Sequence, residues 1–395
     1  MRYPARVCVA ALAIAAGFTA PARSDPGGSV IVHFDAQAIR QIDAKGLADP
    51  FSGRALTADD PVRIASVSKL VVALGVMRLV DARRLDLDRD VSDYLGWRLR
   101  NPHFPDAVIT LRLLLSHRAS LTDGVDYAIP LGGAVKSVLA DRAAWDAAHA
   151  PRGYFRYANL NFPVIASVME AATGERFDRL MAQLVFTPLA LDACFNWTTC
   201  SDAITARAVV LTDGGGAVRR DRLDGLRPPC PVVPAADGNC DLRGYRPGTN
   251  GALFSPQGGL RISARNLARI GQMLARRGRG FLSRRAYQVL VSPIWRFDGN
   301  NGDSEGGFWC RYGLAVQQLA TRATGCRDDP FGDAKRRLGH SGEAYGLRSG
   351  LWIDPVRRMG VAYFMTAVAD DAATGRSAFT AAEEQLLQRP TGAHE

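Results

Sequence analysis

Arg63-Ile64-Ala65-Ser66-Val67-Ser68-Lys69-Leu70-Val71-Val72-Ala73-Leu74 is the stretch on which the reading of this chain turns. Val67, Leu70, Val71 and Leu74 recur at helical spacing, which predicts a helix opening at Ser66 and running to about Asp81. Lys69 then lies one turn on, over the same face as Ser66. A serine hydroxyl is a poor nucleophile at neutral pH and needs a group to take its proton, while a helix N-terminus offers amide donors to a developing negative charge. A partly desolvated Lys69 supplies the acceptor. Taken alone, the pair reads more simply as a serine cap beside a solvated lysine. Two facts weigh against that reading. Lysine is confined to Lys45, Lys69, Lys136 and Lys335, of which only Lys69 follows a serine at this spacing. It also sits in a nearly all-apolar helix, where an unpaired ammonium is costly.

Outward from this stretch, the amino terminus reads as a secretory signal over residues 1–22. It has Arg2 and Arg6, an apolar run from Val7 to Ala20, and the small-residue cleavage site Ala20-Pro21-Ala22. The mature chain then starts near Arg23, and Cys8 stands too early to be a lipid-attachment cysteine. No later stretch is long and apolar enough to predict a transmembrane helix. The expected product is exported, periplasmic or secreted.

The 395 residues are 47% apolar and 22% charged, ordinary globular composition that excludes disorder, and the net charge is +10. An excess of arginine suits an anionic neighbourhood such as cell-wall material, although codon usage accounts for it more simply. Nucleic acid is not expected as the partner of an exported chain. Removing Cys8 leaves an even set of cysteines, as a disulfide framework in an oxidising compartment requires. The sequence-local pairing Cys194–Cys200, Cys230–Cys240 and Cys310–Cys326 would staple three loops. The histidines His33, His103, His117, His149, His340 and His394 are dispersed, no cysteine spacing resembles a zinc site, and neither metal nor cofactor is expected.

Ser29–Asp35 and Ile39–Gly46 read as paired strands, and a polar stretch leads from Asp49 to Pro61. From Leu85 to about Ala190 the pattern is mainly helical, with Leu111–His117, Asn161–Ala172 and Phe177–Val185 as segments. His117 reads as a packed, hydrogen-bonded residue beside an apolar helix in preference to a catalytic one. Residues 194–251 are an irregular excursion and 297–333 a second loop-rich insert. Gln257-Gly258-Gly259-Leu260-Arg261-Ile262-Ser263 reads as a glycine turn, a short strand and a serine cap before an amphipathic helix to Arg276. Strands from Gly346 to Trp352 and Met359 to Val368 and a helix from Ala378 to Gln388 close the chain. The expected fold is α/β (α+β): an antiparallel sheet flanked by helices and built from both chain ends, residues 23–80 and 252–395. Residues 81–251 form an inserted, mainly helical lobe with its loop-rich excursion.

Two further short motifs follow the first in order, Tyr157-Ala158-Asn159 and His340-Ser341-Gly342. Each alone reads as a helix entry or a polar turn; their order and uniqueness make the set specific. With them the chain resembles the serine β-lactamase and penicillin-binding superfamily, in its branch of class C β-lactamases, D,D-carboxypeptidases, D-aminopeptidases and esterases. Thr110–Leu121 and Gln257–Ser263 also look like segments of that family, and the resemblance runs from about Val30 to Leu387.

The resemblance implies a β-lactamase/transpeptidase-like fold and a role for each matching residue. Ser66 would be acylated, Lys69 and Tyr157 would handle its proton, and Asn159 would bind the substrate amide and fix Lys69. The backbone amides of Ser66 and Glu343 would form an oxyanion hole, and Ser341 would touch a substrate carboxylate or the proton network. A phenol titrates near 10, so Tyr157 works as a base only beside positive charge, from Lys69 and also from His340. Efficient β-lactamases of this branch carry lysine where this chain has His340. A neutral imidazole is a weaker carboxylate anchor. Glu343 reads as an outward carboxylate paired with an arginine, and alternatively as a contact for a substrate ammonium. The expected protein is therefore a cofactor-independent serine hydrolase acting on an amide, peptide or ester, with a small-molecule or peptide substrate and D-amino acids in range. A class C-type β-lactamase is the alternative enzyme, and a penicillin-recognising receptor or inactive scaffold the alternative of another class.

Overall fold

The computed structural model describes residues 27–389, so the expected signal segment lies outside them. Its centre is an eight-stranded antiparallel sheet in the spatial order Trp295–Arg296, Arg311–Tyr312, Gln317–Leu319, Arg337–Ala344, Leu347–Asp354, Met359–Met365, Ser29–Asp35, Ile39–Lys45. The first strand of the chain is thus clamped between its hairpin partner and the last strand, with Val30 opposite Phe364 and Val32 opposite Ala362.

Alternation along these strands feeds two cores. Val30, Val32, Phe34, Leu351, Ile353, Ala362 and Phe364 join the main core. Ile31, Trp352, Val361 and Tyr363 face the other way, toward Phe379, Leu386 and Leu387 at the closing helix Ala381–Leu387. The helix Ala264–Ala275, capped by Ser263, packs across the central strands on the main-core face. Gly271 is required there, because a Cβ would stand 2.1 Å from the Phe34 ring.

Val67–Asp81 is the helix expected from the apolar run, and twelve of its residues are buried, which explains why no polar face shows in its sequence. It packs between the strand Arg337–Ala344 and the helix Arg284–Val291. Asn161–Thr173 ends at Gly174, whose φ of +74° closes the last turn. Phe177–Met181 is shorter than expected and runs on as a wider turn over Ala182–Phe186. Residues 194–251 are largely irregular and are tied down at Glu170, which accepts hydrogen bonds from Phe177 N, Gly248 N and Tyr245 Oη.

The insert 297–333 is loop-rich as expected, and it also supplies two short strands at one side of the sheet, with Trp295–Arg296 just before it as the edge strand. Arg337–Ala344, which carries the third motif, is a full strand where its residues alone read as a polar turn. All six cysteines beyond Cys8 are paired, as Cys194–Cys200, Cys230–Cys240 and Cys310–Cys326.

Candidate active site

Ser66 stands where a strand turns abruptly into a helix. Pro61–Arg63 ends the strand, Ala65 takes a left-handed φ of +50°, and Ser66 precedes the first helical residue. A non-glycine residue in that region marks a strained turn. The Ser66 side chain makes no capping hydrogen bond, which leaves its hydroxyl to Lys69. Lys69 Nζ lies 2.9 Å from Ser66 Oγ, 2.8 Å from Asn159 Oδ1 and 2.8 Å from the Gln257 carbonyl oxygen. It is fully buried. Burial pushes the Lys69 ammonium down to about 7, with the Asp123 carboxylate opposing the shift. As an ammonium it donates to all three oxygens; as a neutral amine it keeps two N–H groups for Asn159 Oδ1 and Gln257 O and has a lone pair for the Ser66 proton.

Tyr157 stacks on Trp309 at 4.3 Å between ring centroids and on His117 at 4.4 Å. Its ring centroid is 4.9 Å from Lys69 Nζ. Burial raises the phenol above its ordinary value, the Ser66 hydroxyl opposing, so the resting side chain is a protonated phenol. His117 is packed and bonded: Nδ1 accepts from Ala158 N at 3.1 Å, and burial holds the ring neutral.

Asn159 is committed on both sides of its amide. Oδ1 accepts from Lys69, while Nδ2 donates to Asp123 Oδ2 at 2.9 Å and Tyr127 Oη at 3.2 Å. Asp123 also accepts from the backbone N–H groups of Asn159 and Leu160, at 2.8 and 2.9 Å. The Asn159 amide expected to meet a substrate is therefore turned toward Asp123.

The third motif runs along the strand Arg337–Ala344 beside the nucleophile. Gly342 permits the approach: a Cβ there would meet Ser349 Oγ at 2.4 Å, Ile64 O at 2.6 Å and Ser66 N at 3.1 Å. Ser341 lines the cleft and donates to Gln317 Oε1 at 2.9 Å. His340 does not reach the cleft. Its ring is wholly buried, Nδ1 donating to Ser341 O at 2.5 Å and Nε2 accepting from Tyr312 Oη at 2.7 Å. Burial, then Lys69, pushes it down to about 3, so the expected positive charge beside Tyr157 is absent at His340. Glu343 pairs with Arg348 at 2.8 Å, the plainer of its two readings.

These groups open into a cleft of about 470 Å³ lined by Ser66, Tyr157, Asn159, Ser341, Gly342 and Glu343. The insert 297–333 contributes Glu305, Phe308 and Trp309, and the segment before the closing helix contributes Asp370 and Phe379. Sequence reasoning missed Asp123, although it lies two residues beyond the quoted Thr110–Leu121 segment, and it missed Gln257 as a partner because the contact is a backbone carbonyl. Arg63 and Trp309 carried no signal at all.

A family model described as Beta-lactamase matches residues 19–384. Esterase EstB of Burkholderia gladioli is 31% identical over 169 residues, 38% of this chain and 42% of the esterase. A D-aminopeptidase of Brucella canis is 27% identical over 197 residues, 46% of this chain and 36% of its own length. In both cases the match spans less than half of the relative. Among solved structures, the D-amino acid amidase from Ochrobactrum anthropi SV3 in complex with D-phenylalanine superposes with a TM-score of 0.63 at 17% identity, over 93% of each chain, a likeness of fold. With nearly the whole chain matched and a sheet and helix arrangement shared with these structures, the chain belongs to the beta-lactamase family.

Proposed function

We propose that the chain is an exported serine hydrolase that forms an acyl-enzyme on Ser66 and acts on amides, peptides or esters, D-amino-acid derivatives among them. The observation that carries this is the position of Lys69 Nζ, within hydrogen-bond distance of Ser66 Oγ, buried, and close to half neutral at pH 7. Lys69 takes the Ser66 proton as Oγ attacks the substrate carbonyl. The oxyanion forms against the backbone N–H groups of Ser66 and Glu343. Tyr157, a protonated phenol, gives its proton to the leaving amine or alkoxide and recovers one from Lys69. Water then repeats the sequence, with the Lys69–Tyr157 pair as its base, and frees the acid.

Substrate range follows from what the cleft offers. A neutral, buried His340 supplies no cation for a β-lactam carboxylate, which weighs against efficient β-lactamase activity. An Asn159 amide spent on Asp123 and Tyr127 favours acyl groups with a free amine over acylamino groups that need a donor there. The relative named D-aminopeptidase accords with that preference. Three disulfides suit an oxidising compartment, and no helix among the described residues is long and apolar enough to cross a membrane.

Intact-mass spectrometry with a fluorescent penicillin, a D-alanyl amide and a short-chain ester, with product release followed in parallel, tests the reading. Acylation at Ser66 with turnover of the amide or ester is expected, and Ser66→Ala removes the adduct. A stable penicillin adduct without turnover points to a receptor, and efficient penicillin turnover to a β-lactamase. Tyr157→Phe slows turnover about 10²–10⁴-fold with the fold intact, because the ring keeps its stacking; unchanged rates would remove Tyr157 from the mechanism.

A further inference from the structure

Arg63, three residues before Ser66, lines the cleft, and its side chain makes no ion pair or hydrogen bond to a described residue. Its Nε is buried with no hydrogen-bond partner among the described residues, and its guanidinium carbon lies 5.0 Å from the centroid of the Tyr345 ring. Burial and the charges of Arg261 and Arg220 disfavour its charged form, against which the Tyr345 phenol and the Asp221 carboxylate act. Arg261 and Arg220 stand nearby, and Arg220 lies 4.6 Å from the same Tyr345 ring. The carboxylate in range, Asp221, is spent on Arg261 through bonds of 2.8 and 3.1 Å and on Trp197 Nε1 at 3.1 Å. Arg348, the other arginine of the cleft wall, is paired with Glu343.

A half-buried guanidinium that lines the cleft without an ion-pair partner is placed to meet an anion there. Arginine also presents a planar donor fork that matches a carboxylate. We propose that Arg63 is the carboxylate-recognition residue of this cleft, so that the preferred substrate carries a carboxylate in addition to the bond that is cut. The proposal rests on the serine-hydrolase reading and narrows it: carboxylate recognition moves from the third motif, where His340 is neutral, to the strand that leads into Ser66. Burial and Arg261 push Arg63 down to about 10, which still leaves it charged at neutral pH.

Paired probes differing by one charge test this. Mono-p-nitrophenyl glutarate against the p-nitrophenyl ester of glutaramic acid places the carboxylate on the acyl half, and D-alanyl-glycine against D-alanyl-glycinamide places it on the leaving half. The acylation rate constant over the binding constant is read for each by intact mass and product release, on the wild-type protein and on Arg63→Gln. The charged member of one pair is expected to react at least about tenfold faster, with the ratio shrinking as salt is raised. Arg63→Gln brings that ratio close to one and Arg63→Lys restores part of it. Equal rates for both members of both pairs overturn the proposal and leave the hydrolase reading standing. A charged preference that survives in Arg63→Gln overturns it too, by locating recognition elsewhere. No acylation by any of the four removes the hydrolase reading and this proposal together. The salt-dependent ratio in the wild-type protein does not require the variant to fold.

Discussion

Lys69 shows how much of a site's chemistry is a matter of what a side chain lacks. Among the described residues no carboxylate lies within ion-pair distance of it; Asp123 acts on it from beyond Asn159, raising its proton affinity against the larger effect of burial. Acylation by the neutral amine should therefore rise with pH through about 7 and level off above it, read as the pH profile of kcat/KM. Asp123→Asn removes the opposing charge, so the apparent value shifts down and the profile moves toward acid. It also releases the Asn159 amide, and a loss of roughly tenfold in kcat/KM is expected alongside the shift. A rate loss without a shifted profile would make Asp123 purely structural. Ser66, Lys69, Tyr157 and Asn159 were legible in the sequence because each sits in a short contiguous motif. The state of His340 was not, since it is set by burial within the fold and by Lys69, and its Nε2 is taken by Tyr312, 28 positions away in the chain. Nor was the Glu343–Arg348 pair fixed in advance, because it forms only when the two strands take their register.

Between single residues and the whole molecule, the strand Arg337–Ala344 decides whether the cleft is built at all. It lies against the nucleophile because Gly342 has no side chain. Gly342→Ala would drive a methyl group into Ile64 O and Ser349 Oγ. Overpacking of this kind costs about 1–3 kcal/mol, and a displaced strand would misplace the Glu343 amide proposed as an oxyanion donor. Denaturant unfolding should show that cost, with acylation slowed at least about 100-fold by loss of one oxyanion donor. Normal acylation in the variant would place the oxyanion donors elsewhere. The long strands and helices were readable from alternation and helical spacing. The short strands at one side of the sheet were not: Arg311–Tyr312 and Gln317–Leu319 are two and three residues long, and Gln317 and Gln318 are buried polar residues that no hydrophobic pattern marks. The Phe177–Val185 segment was read as one helix because its apolar spacing continues through the wider turn at Ala182–Phe186.

At the scale of the molecule, the sheet joins residues that are far apart in sequence. Ser29 pairs with Met365 and Asp35 with Met359, and Thr366 Oγ1 accepts from Gly28 N at 2.8 Å. Such long-range pairing closes late in folding. A chain ending at Asp354 keeps Ser66, Lys69, Tyr157 and Gly342 but loses the strand Met359–Met365 that lies between the first strand and the strand Leu347–Asp354. It should show no cooperative unfolding and no labelling at Ser66, and labelling by such a fragment would mean that the remaining strands support the site alone.

The clamped first strand has a further consequence, one of timing. Ser66 and Lys69 leave the ribosome early, yet the glycine and amide that face them belong to a strand that cannot settle until the next two have been made. A growing chain therefore carries the nucleophile for most of its synthesis without the surface that would make it reactive. The cleft is complete only once the last tenth of the polypeptide has been made.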